Sequence, residues 1–179
     1  MRSLFYFLVS PKEERYNNSK KIENFNFIMN TSIEDAKDVS RVGVVEEIPI
    51  NYKGLIKKGD EVIVHHNIFR EYYDIKGNIK DSKSYFMDNI HLVFEDSIYL
   101  YNKNDWTCNL DFIFIKPIEK YNSIKYKNEE TYLTGEVFYP NGSFKKGDLI
   151  SFSPESEYEI KVEGERLYRM KLSDICFKL

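Results

Sequence analysis

Few residues in this chain could do covalent or metal chemistry. The three histidines are His65, His66 and His91, and the two cysteines are Cys108 and Cys176. Neighbouring residues on a strand point to opposite faces, so on a strand His65 and His66 could not hold one metal together. Cys108 and Cys176 lie far from them in sequence, and no paired ligand spacing makes a zinc site. Neither cysteine stands in a nucleophile motif, and Cys176, between Ile175 and Phe177, reads as a core residue. No glycine-rich phosphate loop follows a strand and opens a helix. Carboxylates are plentiful but interleaved with Lys, the pattern of a solvated surface. The expectation is a protein that is no enzyme, needs no metal or cofactor, and acts by binding. The residues suited to binding form an apolar island, Phe25-Asn26-Phe27-Ile28-Met29, inside a polar stretch from about 11 to 40. Loops longer than about 12–15 residues are uncommon in compact domains and are usually functional or disordered. Phe25, Phe27, Ile28 and Met29 are therefore the candidate partner-binding residues. The alternative is a strand or loop that the aromatics anchor to the fold.

The elements around this island occur twice. Ile56-Lys57-Lys58-Gly59-Asp60-Glu61-Val62-Ile63-Val64 is matched by Phe144-Lys145-Lys146-Gly147-Asp148-Leu149-Ile150-Ser151-Phe152. In each copy Lys-Gly-Asp makes a turn, because Gly accepts positive φ and Asp bonds its own backbone. A run of strand-forming residues follows. Upstream, Arg41-Val42-Gly43-Val44-Val45 answers to Leu133-Thr134-Gly135-Glu136-Val137. Further upstream, Phe5-Tyr6-Phe7-Leu8-Val9-Ser10-Pro11 answers to Phe112-Ile113-Phe114-Ile115-Lys116-Pro117. Three matches in one order argue for an internal duplication. The polar Asn102-Lys103-Asn104-Asp105 is the natural joint. The expectation is an all-β chain of two small barrels, 1–104 and 105–179, of which the first carries the long loop and the second does not. A short helix capped by Ser32 is expected over Ser32 to Asp38. Tyr158, Ile160 and Val162 alternate with charged residues as in a half-buried strand, and Glu163-Gly164 turns the chain back.

Composition narrows the class. At 179 residues the chain can bury one sizeable core or two small ones. The aromatic share of 16% favours strands. A net charge of −3 supplies no basic field for nucleic acid or an anionic membrane. Two cysteines fit a reducing compartment. The apolar run at the N-terminus is only six residues long and leads into Pro-Lys-Glu-Glu, so it reads as a first strand and not as a signal peptide. No stretch is long enough to span a bilayer.

The second copy resembles the co-chaperonins of GroES type from Asp111 to Leu179. The resemblance rests on Asp111 to Pro117, Gly135-Glu136-Val137, the Lys-Lys-Gly-Asp turn and its strand, Glu157 to Tyr168, and Ser173-Asp174-Ile175. The first copy, Leu4 to Asn102, is similar but looser, with an insertion around Ile79 to Ser84. In that family a long loop after the first strand carries a short apolar tripeptide that docks on a chaperonin, and Phe27-Ile28-Met29 stands at the matching place. Phe25-Asn26 replaces the usual Gly pair, and the hairpin before Lys-Lys-Gly-Asp is short in both copies. The resemblance implies two tandem GroES-like barrels, a chaperonin partner, a cytoplasmic setting (host cytoplasm or virion, were the source viral), and a role in protein folding. The other reading is a structural or assembly protein that keeps the barrel without the chaperonin, its island bound to a neighbouring subunit. One loop burying three side chains gains at most about 5–9 kcal/mol before costs. Ordering the segment takes back about 2–5 kcal/mol. Several loops on one homo-oligomeric ring would restore tight binding through avidity.

Overall fold

The computed structural model describes residues 2–16, 19–22, 25–28, 38–120 and 129–179, and for 19–22, 25–28, 119, 120 and 129 the backbone alone. The chain divides into two compact units, Met1–Asp105 and Trp106–Leu179. In unit 1 the strands are β1 (Phe7–Pro11), β2 (Ser19–Ile22), β3 (Phe25–Ile28), β4 (Val42–Glu47), β5 (Glu61–Val64), β6 (Glu71–Tyr73), β7 (Ile79–Asp81), β8 (Tyr85–Met87), β9 (Ile90–Val93) and β10 (Ile98–Asn102). Unit 2 holds β11 (Trp106–Cys108), β12 (Phe112–Lys120), β13 (Glu129–Tyr139), β14 (Leu149–Phe152), β15 (Tyr158–Val162), β16 (Glu165–Lys171) and β17 (Ile175–Lys178). The described residues form no α-helix, only two short 3-10 turns, Glu95–Ser97 and Leu172–Asp174.

The two units share one strand order. In unit 1 hydrogen-bonded neighbours run β10-β5-β4-β1-β9-β8, and in unit 2 β17-β14-β13-β12-β16-β15. The registers agree as well. Val9, Ser10 and Pro11 face Val45, Val44 and Gly43, while Ile115, Lys116 and Pro117 face Val137, Glu136 and Gly135. Both pairs break register one residue earlier, between Leu8 and Val9 and between Phe114 and Ile115. A bulge of this kind bends a strand and increases its twist. The Lys-Lys-Gly-Asp turns are bonded alike. The Lys57 and Lys145 amides donate to the carboxylates of Asp60 (2.8 Å) and Asp148 (2.7 Å). Gly59 and Gly147 sit at φ 88° and 91°, and their amides donate to the carbonyls of Val45 (2.7 Å) and Val137 (2.9 Å). Each unit thus joins its second and third sheet strands, β4 to β5 and β13 to β14, through one turn geometry.

Register equivalence also aligns the cores. Phe7, Val9, Val45, Val62, Val64 and Val93 are buried together in unit 1. Ile113, Ile115, Val137, Ile150, Phe152 and Met170 occupy the matching places in unit 2. Alternate residues of each strand face this core, as the period of two requires. Gly43 and Gly135 lie where neighbouring side chains and carbonyls leave no room for a Cβ. A Cβ on Gly43 would meet Val9 Cγ1 at 2.6 Å and the Ser10 carbonyl at 2.9 Å. One on Gly135 would meet Ile115 Cδ1 at 2.7 Å and the Lys116 carbonyl at 3.0 Å.

Two expectations change, and a third falls on residues that are not described. Neither sheet is a closed barrel: no pairing joins the two end strands of either sheet among the described residues. The first strand begins at Phe7, three residues later than the apolar run suggests, because Ser3 turns the chain there by accepting hydrogen bonds from the Phe5 and Tyr6 amides. The helix expected at Ser32 to Asp38 falls, except for Asp38, outside the described residues. Unit 1 departs from unit 2 at two places: the excursion between β1 and β4 that holds β2 and β3, and the β6–β7 hairpin between β5 and β8.

Gly43→Ala and Gly135→Ala should each destabilise their unit by about 1–3 kcal/mol, the cost of overpacking a filled site. Urea unfolding followed by circular dichroism measures this, and similar losses at both positions are the expected outcome.

Candidate functional site

The excursion of unit 1 starts from a paired stem. Beyond β1 the Lys12 amide donates to the Val42 carbonyl (3.0 Å) and the Ser40 amide to the Arg15 carbonyl (2.8 Å). Tyr16 and Val39 close the stem with an antiparallel bridge, and Val39 and Ser40 are buried. Further out, β2 and β3 pair with each other in the register Ser19 to Ile28 through Ile22 to Phe25. They form a two-stranded sheet of their own, separate from the main sheet. Phe25, Phe27 and Ile28 thus lie on β3, the returning strand of an arm. Their side chains, and the whole of Met29, lie outside the described residues.

The stem is fastened to the second feature peculiar to unit 1. The Arg15 guanidinium, its side chain only 15% exposed, donates from Nε to the Phe69 carbonyl (2.9 Å). Its Nη1 donates to Glu71 Oε1 (3.1 Å) and to Asp81 Oδ1 (2.6 Å). Glu71 and Asp81 face each other across β6 and β7, at the base of that hairpin. One cation therefore ties both strands of the hairpin to the stem of the arm. The Tyr16 hydroxyl accepts from the Glu71 amide at 2.5 Å, and burial, the largest effect, pushes its pKa above that of an ordinary phenol. The Ser82 hydroxyl donates to the Ile68 carbonyl (2.6 Å) and fixes the returning strand to the core loop. At the hairpin tip the Asp74 carboxylate accepts from the Lys76 and Asn78 amides, and Ile75 projects fully into solvent.

The candidate chemical residues fall elsewhere. β5 ends at Val64, so His65 and His66 leave the strand, and their rings stack at 4.2 Å instead of pointing apart. Burial first, and then the charges of His65, Arg41 and Arg70, lower the His66 pKa to about 4. His91 is buried on β9, edge-on to Phe69 (4.9 Å) and Tyr85 (5.5 Å). Burial and then the nearby Arg15 lower its pKa to about 4. Cys108 is buried, its thiol donating to the Tyr139 carbonyl (3.3 Å), and burial pushes its pKa up to about 12. Cys176 is exposed on β17 and is not the core residue the sequence suggests. Its strand lies at the end of the sheet, where both faces of a short segment can remain open. Among the described residues no three metal-ligating side chains gather, and no helix is long and apolar enough to cross a membrane.

Arg15, Tyr16, Glu71 and Asp81 were not distinguishable in the sequence, since partners 55 to 66 residues apart carry no local signal. The one hint was that both unmatched segments occur in the same copy. Compared with protein-family models and with curated proteins, the sequence matches none.

Protonation of the two histidines should make unit 1 acid-sensitive. The unfolded chain takes up a proton at each near pH 6.5, the folded unit only near pH 4. Stability is therefore full above about pH 6.5 and falls as the pH drops toward 4, by at most about 1.4 kcal/mol per pH unit for each histidine. His91→Phe should flatten this decline in urea midpoints measured between pH 7 and 4.5.

Proposed function

We propose that this protein is a co-chaperonin-like adaptor of two tandem GroES-like units, which docks on a GroEL-type chaperonin through the β2–β3 arm and assists protein folding without chemistry of its own. The observation that carries the reading is the arm's construction. It is a hairpin separate from the main sheet, carries Phe25, Phe27 and Ile28, and rises from a stem fixed by Arg15 and Tyr16. A fixed stem lowers the entropy cost of presenting the arm to a partner. The matching strand order of the two units supports the tandem arrangement. The setting that goes with this role is the cytoplasm, or that of a host cell.

A second reading keeps the same units and replaces the chaperonin by a neighbouring structural subunit, as in a virion. The apolar edge of β17, exposed at Phe177, favours it, because assembly proteins need surfaces for their own kind.

Ile28→Asp separates docking from folding. Losing one buried Ile contact removes roughly 1.5–3 kcal/mol per arm, at least a tenfold weakening. The expected outcome is loss of co-sedimentation with a GroEL-type chaperonin while the circular dichroism spectrum is kept. Wild-type protein that fails to co-sediment, yet is retained by a structural protein of its source, would favour the second reading. A variant that unfolds would make the island part of the core.

A further inference from the structure

Two arginines of this chain stand beside carboxylates: Arg15 reaches Glu71 and Asp81, and Arg166 reaches Glu130 and Glu159. The segment after β5 departs from this pattern. The Val64 amide donates to the Arg41 carbonyl (2.9 Å), which sets the start of β4 beside the end of β5. The chain then turns, the Ile68 amide donating to the His65 carbonyl (3.0 Å), and Arg70 follows immediately before β6. The His65 and His66 rings stack at 4.2 Å in this turn. Arg41, His65, His66 and Arg70 are all half-buried. The charges that act on His66 are those of His65, Arg41 and Arg70, and no carboxylate is among them. Among the described residues no carboxylate forms an ion pair with Arg70, and its Nε, buried, has no hydrogen-bond partner. Glu71, the next residue, is held by Arg15.

Holding like charges together costs free energy, and half-burial screens them less than open water would. A guanidinium drawn partly out of water adds its own desolvation cost. A bound anion with several acceptor oxygens offsets both. We propose that Arg41, His65, His66 and Arg70 form a binding site for a phosphate group. The chemistry of the four side chains selects this ligand. A guanidinium presents a planar fork of donors that matches two phosphate oxygens at once. The Asn67 amide donates to His65 Nδ1 (3.1 Å), so the neutral His65 ring carries its proton on Nε2 and has a further donor there. A doubly charged phosphate also gains more from two fixed positive charges than a singly charged carboxylate does. Free phosphate and a phosphate monoester share this chemistry. None of the four residues lies on β2 or β3, so the site is independent of the docking reading.

Titration calorimetry on the full chain at neutral pH tests it, with inorganic phosphate and glycerol 3-phosphate as the probes. Wild-type protein should give a saturable isotherm with a single phosphate site. Arg70→Met should weaken binding about tenfold or more, as the loss of a charged hydrogen bond requires. Lys161→Met removes the same charge from an exposed position on β15 and should leave the isotherm unchanged. Tighter binding of glycerol 3-phosphate would identify a phosphate monoester as the ligand, and binding no tighter than that of inorganic phosphate would identify the free ion; either upholds the site. Circular dichroism checks that each variant is folded. Should Arg70→Met unfold, His66→Gln replaces it in the same titration, with weakening again expected. Ile28→Asp should bind phosphate as the wild type does, so failure of the docking reading and failure of this one are read apart. A folded wild type that binds neither probe would overturn the proposal. So would equal weakening in Arg70→Met and Lys161→Met, which would mean diffuse attraction to the whole chain and no built site.

Discussion

One guanidinium joins the two features that set unit 1 apart from unit 2. Arg15 stands where the chain leaves the sheet after β1, and its donors reach the Phe69 carbonyl, Glu71 and Asp81. Charge-assisted bonds of this kind are shorter and stronger than neutral ones. Partly buried, they are less screened than an exposed surface pair. The consequence is geometric. The β6–β7 hairpin has few core side chains of its own, with Tyr72, Tyr73, Ile75 and Ile79 exposed. The arm forms a separate sheet. Arg15 sits at the junction that the stem of the arm and the base of the hairpin share.

Behind that junction lies a fold whose rules were largely local. The Lys-Lys-Gly-Asp turns were readable because Gly and Asp have fixed roles in turns, and both copies show the same bonds. The Tyr158 to Val162 strand and its Glu163-Gly164 turn were readable from alternation and from the glycine, and both turn residues take positive φ in the structure. What the sequence did not disclose was non-local. The tie of Arg15 to Asp81 spans 66 residues. Whether a sheet closes into a barrel depends on how its end strands meet, which no short motif encodes. The exposure of Cys176 and Phe177 depends on which strand ends the sheet. An apolar Ile-Cys-Phe run looks the same in a core and on an open edge. For the island, the residues were legible as unusual, and the structure adds that Phe25, Phe27 and Ile28 lie on the second strand of a hairpin.

The repeated sheet and the specialised arm divide the work in the account proposed here. Matching core positions such as Val9 and Ile115, or Val45 and Val137, keep two units stable on the same pattern. Recognition is then added to one of them as insertions, which leave the shared registers intact. A weakly binding arm becomes effective when several are held on one body.

The central claim is that the arm and the β6–β7 hairpin are one mechanical unit fixed through Arg15. Hydrogen exchange on the full chain carrying Arg15→Met tests it most directly. Met retains much of the side-chain bulk and removes every donor. The account predicts that amides of β2, β3, β6 and β7 lose protection together, while those of β1, β4 and β5 keep theirs. Loss confined to β6 and β7, with β2 and β3 unchanged, would contradict it.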